Sequence, residues 1–417
     1  MASTTQDEQA KEIISTIQSI DGASEVVVTL QENKDATKPP VLLNVSPRTL
    51  ATPGQDHTAS QRATHVIISL GSGGRLAEEF FNGVVHPILK SIYGEDGVQS
   101  IKVHTTTSAT SILELTDNTL FPAANSGKPL RIILLSGDGG IVDLVNGLSS
   151  QSPSDTYISP EVVLLPLGTA NALYHSINAG KQHTWGLNAL TSSTSKPLPV
   201  FSATFSPDAR LLVNEGQDEE QLPKDSQGNG VLHGAVVASW GMHASLVADS
   251  DTTFYRKFGV ERFKMAAKEA LYPADGSPPH AYKAKLSVSN KNGEWNALSE
   301  EEHTYVLATL VSNLEQPFCI SPESKPLDGS LHLVHFGPRS GDDVMRIMGL
   351  AYQGGLHVKE EEVRYESIEG LRIEFQGLGD DARWRRICVD GKIVRVNGEG
   401  WVEVRKEKRR VLDVVVV

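Results

Sequence analysis

The sequence predicts an open, mostly parallel α/β sheet followed by a mainly antiparallel β-sandwich. Two patterns and the composition carry that prediction. Between residues 63 and 200, three apolar runs rich in β-branched residues each end in a Gly-containing turn and pass into a helical pattern. Strand, turn and helix in that order belong to parallel α/β sheets, which bind ligands beyond the carboxyl ends of their strands. Beyond about residue 200 the texture changes to short strands separated by polar turns, as in sandwiches and barrels. The chain has 417 residues, 39% hydrophobic and 21% charged. That length suits two or three domains of roughly 100–200 residues each, and the composition supports a real core.

The elements follow in order. Residues 1–62 are read as a variable extension, with strands expected at Glu25 to Leu30 and Val41 to Val45 around a Pro-containing loop. His65 to Leu70 then runs into Gly71-Ser72-Gly73-Gly74 and a helix from Leu76 to Leu89. Arg131 to Leu135 runs into Ser136-Gly137-Asp138-Gly139-Gly140 and a helix to Leu148. Glu161 to Leu165 runs into Pro166-Leu167-Gly168-Thr169-Ala170-Asn171 and a helix to Ile177. In the second region, 201–417, strands are expected at Phe201 to Phe205, Val231 to Trp240, Tyr282 to Val288, Thr304 to Val311, Ser330 to Phe336, Leu371 to Phe375, Arg386 to Val389 and Ile393 to Val396. Helices are expected at Thr253 to Leu271 and Gly341 to Gly349. The acidic, Gln-rich stretch 207–230 reads as a disordered hairpin insertion.

Several function classes are excluded. A formal net charge of −13 argues against nucleic acid as the main partner. Two cysteines, Cys319 and Cys388, cannot form a disulfide framework, which favours a reducing interior. The polar, acidic N-terminus lacks the apolar region of a signal peptide, and no apolar run approaches the ~20 residues of a spanning helix. The expectation is a cytoplasmic chain, soluble or peripheral at a membrane. The basic run Arg405 to Arg410 is a solvated edge, or attracts an anionic surface at about 1 kcal/mol per basic residue. A dinucleotide fingerprint from Gly71 would need Gly where Leu76 stands, and Gly74-Arg75-Leu76 is not a P-loop. There is no HExxH pair and no G-x-S-x-G elbow.

Each Gly turn has two readings. Gly permits the positive φ that a tight turn needs, or its bare backbone lets a phosphate approach a helix N-terminus. Asp138 also has two: a helix N-cap, or a carboxylate that accepts a proton from an attacking hydroxyl or holds Mg²⁺.

These residues resemble a known family. The segment SGDGG with Ile141 to Leu148 resembles the SGDG…EVVNGL block of sphingosine (sphingoid long-chain base) kinases, and Pro166 to Leu173 resembles their P-x-G-[ST]-x-N-x-[LF] signature. Both blocks are shared by the wider superfamily of diacylglycerol, ceramide and sphingosine kinases. Ala238 to Gly241, Asp249 and Tyr255 to Phe263 are similar to the AWG…D…YR-x-x-G-x-x-RF stretch. Pro326 to Leu333 resembles P-x-DG-x-x-HL, and Val389-Asp390-Gly391 resembles the terminal VDGE, with Lys392 in place of the acidic residue. The first loop also departs, lacking the family's Asn-Pro before its glycines.

The resemblance implies a nucleotide-binding α/β domain, a lipid-binding sandwich, and an active site in the cleft between them. It implies ATP and Mg²⁺ as cofactors, and a lipid substrate presented from a membrane or micelle. Asp138 would be the base. The turns holding Gly71, Ser72, Gly73, Gly74, Ser136, Gly137, Gly139, Gly140, Gly168, Thr169 and Asn171 would hold ATP, with Thr106 nearby and Arg256 and Arg262 on its phosphates. Asp390 would face the nucleotide and metal. Asp249 would pair with the sphingoid amine, with Asp251 as its rival. The function implied is phosphorylation of a sphingoid base at its primary hydroxyl. The alternatives are a kinase for diacylglycerol, ceramide or another amphiphilic alcohol, and a nucleotide- or lipid-binding pseudokinase.

Overall fold

The computed structural model describes residues 12–18, 24–35, 37–49, 62–377 and 381–417. The first region holds a six-stranded sheet in the order Lys102–Thr105, Ala63–Ile68, Leu130–Ser136, Glu161–Pro166, Asp413–Val415, Ser195–Pro197. All neighbours are parallel except the last pair. Its central strand, Leu130–Ser136, is buried along its whole length, as a strand covered on both faces must be. The strand Asp413–Val415 comes from the far end of the chain and pairs with Glu161–Pro166. The sandwich region therefore ends before 413, and the expected boundary of 201–417 gives way to a C-terminal strand that returns to the first sheet.

The second region packs an eight-stranded and a six-stranded sheet, whose strands pair antiparallel throughout. The alternation in Phe201–Phe205, where every second residue is fully buried, is the period-2 signal of a strand with one face on the core. The stretch expected to be disordered, 207–230, instead forms a hairpin of Arg210–Val213 and Asp218–Gln221, and Arg210–Val213 adds to the eight-stranded sheet beside Lys392–Arg395. Its apolar residues are few, but Arg395 clasps Glu219 at 2.6 Å and backbone pairing does the rest.

Residues Glu12–Gln18, Ser24–Gln31 and Val41–Thr49 form a separate antiparallel sheet. Ile13, Ile17, Val26, Val28 and Leu30 are buried from it into the core that also holds Ile88 and Leu89 of the helix His86–Gln99. The main core is continuous across both regions, from Ile132 of the parallel sheet to Trp240 of the sandwich. The join is also polar. Asn146, on the helix Asp138–Ser149, donates to the carbonyl of His233 and accepts from its amide, at 2.8 and 2.9 Å.

Two expected elements are broken, and both breaks matter. The single strand expected from Val231 to Trp240 is two strands, Gly230–Gly234 and Val237–Gly241, parted at Ala235 and Val236. The helix expected over Thr253 to Leu271 is interrupted between Arg256 and Glu261, where Gly259 takes φ 54°. A further helix, Met242–Ser250, was not foreseen.

In the parallel sheet, the guanidinium of Arg131 is 1% exposed and donates to Glu161 at 2.9 Å, which also receives Arg62 at 3.0 Å. Removing one partner of a buried pair strands the other charge. Glu161→Ala is therefore expected to cost about 3–5 kcal/mol in urea unfolding; a loss below about 1 kcal/mol would show that the carbonyls of Leu190 and Ser192, which Arg131 also reaches, suffice.

Candidate active site

The three Gly turns leave neighbouring parallel strands at matching registers, so they meet. Gly137 N donates to Ser72 Oγ at 2.9 Å. A Cβ on Gly137 would fall 2.6 Å from Gly168 Cα, and one on Gly168 would fall 2.4 Å from Gly137 Cα. Gly73, at φ 47°, would place a Cβ 2.4 Å from Leu167 O. These glycines are required by backbone-to-backbone approach. Gly139 differs: a Cβ there meets nothing within 4 Å.

Other expected nucleotide residues shape the turns rather than face the cavity. Asn171 sits at φ 53°, accepts from Gly168 N at 2.8 Å and donates back to Gly168 O at 3.1 Å, stapling its own turn. Thr106 Oγ1 accepts from Leu70 N at 3.0 Å and fixes the start of the first loop. Gly140 makes room for Ser136, whose Oγ would lie 2.6 Å from a Cβ. Gly71, Gly74, Thr106, Ser136, Gly140 and Asn171 are absent from the wall of the central cavity, whereas Ser72, Gly73, Gly137, Asp138, Gly139, Gly168 and Thr169 line it.

Asp138 is the first residue of the helix Asp138–Ser149, yet its carboxylate does not cap that helix. It reaches across to the neighbouring helix Ala172–Ile177 and accepts from Ala172 N at 2.8 Å and Leu173 N at 3.0 Å. Such amides favour the anion, but burial outweighs them and raises the Asp138 pKa. Asp390 is held in a similar way. At φ 47°, it accepts from Ala235 N at 2.6 Å, Val236 N at 3.1 Å and Val237 N at 2.5 Å, the amides bared where the expected single strand breaks. Burial pushes Asp390 up to about 7, with a further contribution from the nearby charge of Asp138. A raised folded pKa means that the folded chain holds this proton more tightly. The stabilisation is full below the unfolded value of 3.8 and is lost as pH rises through about 7.

Asp390 was expected to hold the metal, and its geometry argues otherwise. Each of its oxygens accepts from two amides, since Val236 N reaches both, so neither has a lone pair free to coordinate a metal ion. No group of three or more His, Cys, Asp or Glu side chains suited to a metal ion occurs among the described residues. Lys392 does not approach the site either; its ammonium pairs with Asp143 on the helix Asp138–Ser149 at 2.7 Å.

The expected arginines divide. Arg262 lines the cavity and donates to Asp251 at 3.2 Å. Arg256 lies off the cavity wall, 54% exposed, and clasps the same Asp251 through Nε and Nη2 at 3.0 and 2.9 Å. Asp249, expected to meet a substrate amine, is turned away. It lines a separate cavity of about 240 Å³ with Tyr282 and Trp384, and pairs with Arg386 at 2.8 Å and Arg383 at 3.7 Å. Asp251, its rival, is spent on the two arginines.

The central cavity measures about 580 Å³ and lies between the two regions. At one end are the Gly turns, Asp138 and Asp390; elsewhere the wall is mainly apolar, with Leu246, Val247, Phe263, Phe318, Met345 and Met348 prominent. Such a slot suits a hydrocarbon chain. Much of it comes from the unforeseen helix Met242–Ser250. Its signal was Gly241, which at φ 79° opens the helix, followed by apolar residues at Met242, Leu246 and Val247.

The contrast between glycines is testable by alanine substitution. Gly137→Ala is expected to lower Tm by several degrees, since Gly168 has nowhere to move. Gly139→Ala should leave Tm within about a degree. Equal Tm values for the two would mean that the turns do not meet as described.

Residues 63–203 match the diacylglycerol kinase catalytic domain. The chain is 23% identical over 278 residues to human Sphingosine kinase 1, covering 60% of this chain and 68% of that protein. To Sphingosine kinase 1 of Rattus norvegicus it is 23% identical over 320 residues, covering 70% and 76%. Two solved chains assigned as diacylglycerol kinases of Bacillus anthracis str. Sterne share the fold, with TM-scores of 0.53 and 0.52 at 12% and 11% identity. Each alignment covers 86% of this chain and 97% of the other. Residues 63–203 thus carry a diacylglycerol kinase catalytic domain, and the chain as a whole is similar to the sphingosine kinases.

Proposed function

We propose that this chain transfers the γ-phosphate of ATP to the primary hydroxyl of a sphingoid long-chain base. The observation that carries the reading is one continuous cavity, with Asp138 among Gly turns at one end and an apolar slot beyond. ATP supplies the electrophilic phosphoryl group when bound. The protein's part is to position the acceptor hydroxyl and accept its proton. Asp138 is the base: burial raises its affinity for a proton, and the Ala172 and Leu173 amides fix its direction. Ser72, Gly73, Gly139, Gly168 and Thr169 line the nucleotide end, where absent or short side chains let phosphates approach. Arg262 lines the same cavity and offers it a guanidinium. The expected Mg²⁺ has no open oxygen at Asp390, and no step runs through it.

The sphingoid amine has a physical counterpart. Among the described residues neither Asp138 nor Asp390 is in an ion pair, and both carboxyls are pushed upward by burial. An ammonium beside the reacting hydroxyl would offset that buried negative charge, in place of the role expected of Asp249. The second reading is a neutral acceptor such as diacylglycerol, favoured by the diversion of Asp249 to Arg386.

Asp138→Asn removes the base while keeping one acceptor for the two helix amides. Transfer of labelled γ-phosphate to a sphingoid base is expected to fall by about 10²–10⁴-fold, with about 1–3 kcal/mol of stability lost; undiminished transfer would remove Asp138 from the chemistry. The pH dependence separates the two acceptors. Above about 7 Asp390 gains its charge, so KM for the cationic base should fall between pH 6 and 8 while KM for diacylglycerol stays level. Parallel profiles would favour the neutral acceptor.

A further inference from the structure

The apolar slot contains a polar group that phosphoryl transfer does not use. Tyr305 is 2% exposed, lines the cavity, and its hydroxyl has no hydrogen-bond partner among the described residues. Its ring is fixed, stacked on Phe336 at 5.2 Å and 5° and met edge-on by His243 at 5.9 Å. His243 cannot serve it as a cation: its Nδ1 is engaged with Ser239 Oγ at 2.7 Å, and burial pushes its pKa down to about 4. The same wall carries Tyr352 and Glu315, whose hydroxyl and carboxylate approach at a long 3.5 Å. No cation lies within ion-pair distance of Glu315 among the described residues, since Lys264 is drawn to Glu261 at 2.7 Å.

The position along the slot is set by the strand Val237–Gly241. Val237 N binds Asp390 at the reacting end, and Gly241 pairs with Tyr305 at the other. Val237 and Gly241 are four residue steps apart, about 13 Å along the strand. A lipid with its reacting hydroxyl near Asp138 would therefore pass Tyr305 part-way along its hydrocarbon tail. A plain methylene there leaves a buried hydroxyl unpaired, which is unfavourable; a hydroxyl on the lipid both donates and accepts, and would satisfy it.

We propose that the preferred acceptor carries a second hydroxyl part-way along its hydrocarbon tail, recognised by Tyr305 with Glu315 as a further acceptor on the same wall. Tyr305 is thus a specificity-determining residue. The inference rests on the lipid-kinase reading of the cavity, and it is tested by binding so that it does not depend on turnover.

Two lipids are compared by calorimetry in mixed micelles with the full chain: a sphingoid base with a plain tail, and its analogue with one hydroxyl placed mid-chain. The unaltered protein is expected to bind the hydroxylated lipid at least about tenfold tighter. Tyr305→Phe, which removes only the unpaired oxygen, should bring the two affinities to within about twofold, and Glu315→Gln should reduce the preference less. Equal affinities in the unaltered protein, a preference that survives Tyr305→Phe, or binding of neither lipid would overturn the proposal. Phosphate transfer is measured in parallel. A binding preference without transfer would sink the kinase reading alone, and transfer to both lipids without preference would sink this inference alone.

Discussion

The site depends on two buried carboxylates held by backbone amides rather than by cations. Asp138 is anchored by Ala172 and Leu173, at the start of a helix following the next strand of the parallel sheet. Asp390 is anchored by Ala235, Val236 and Val237, at a break in the sandwich. Amide donors orient a carboxylate without neutralising it, so negative charge is concentrated at one end of an apolar cavity. Burial opposes that charge, which is why both groups hold protons more tightly than a free carboxyl. A site arranged in this way is suited to taking up a proton and attracting a cation.

The rest of the molecule keeps those two anchors in place. The Gly turns touch backbone to backbone, and Ser72 and Asn171 occupy the amides of Gly137 and Gly168. Between the regions, Asn146 grips both backbone groups of His233, and Lys392 reaches Asp143. Lys392 stands where the resembling family has an acid. Its ammonium is used as a brace between the sandwich and the helix that starts at Asp138, which gives the departure a structural purpose.

Much of this was legible in the sequence. The parallel sheet was readable because its strands are continuous apolar runs and their turns are marked by glycine. The sandwich strands were readable from alternation, as in Phe201–Phe205. Asp138 stood out because a carboxylate directly after a buried strand has no packing role. What escaped was long-range. The break at Ala235 and Val236 lies inside a uniformly apolar run, and only Asp390, far along the chain, explains it. The helix Met242–Ser250 follows a strand without a polar turn, so period alone did not separate the two. Asp249 matched by position in the chain, yet arginines over 130 residues later claim it, and no local pattern shows that. The return of Asp413–Val415 to the first sheet is likewise a tertiary choice.

The most direct test of the account is the product formed when the purified chain is incubated with Mg-ATP and a sphingoid base in mixed micelles, identified by mass spectrometry and phosphorus NMR. Transfer at the site as described gives a phosphomonoester on the primary hydroxyl, with one ADP formed per product. ATP binding with no phosphorylated lipid, or phosphate on any other atom, would contradict it.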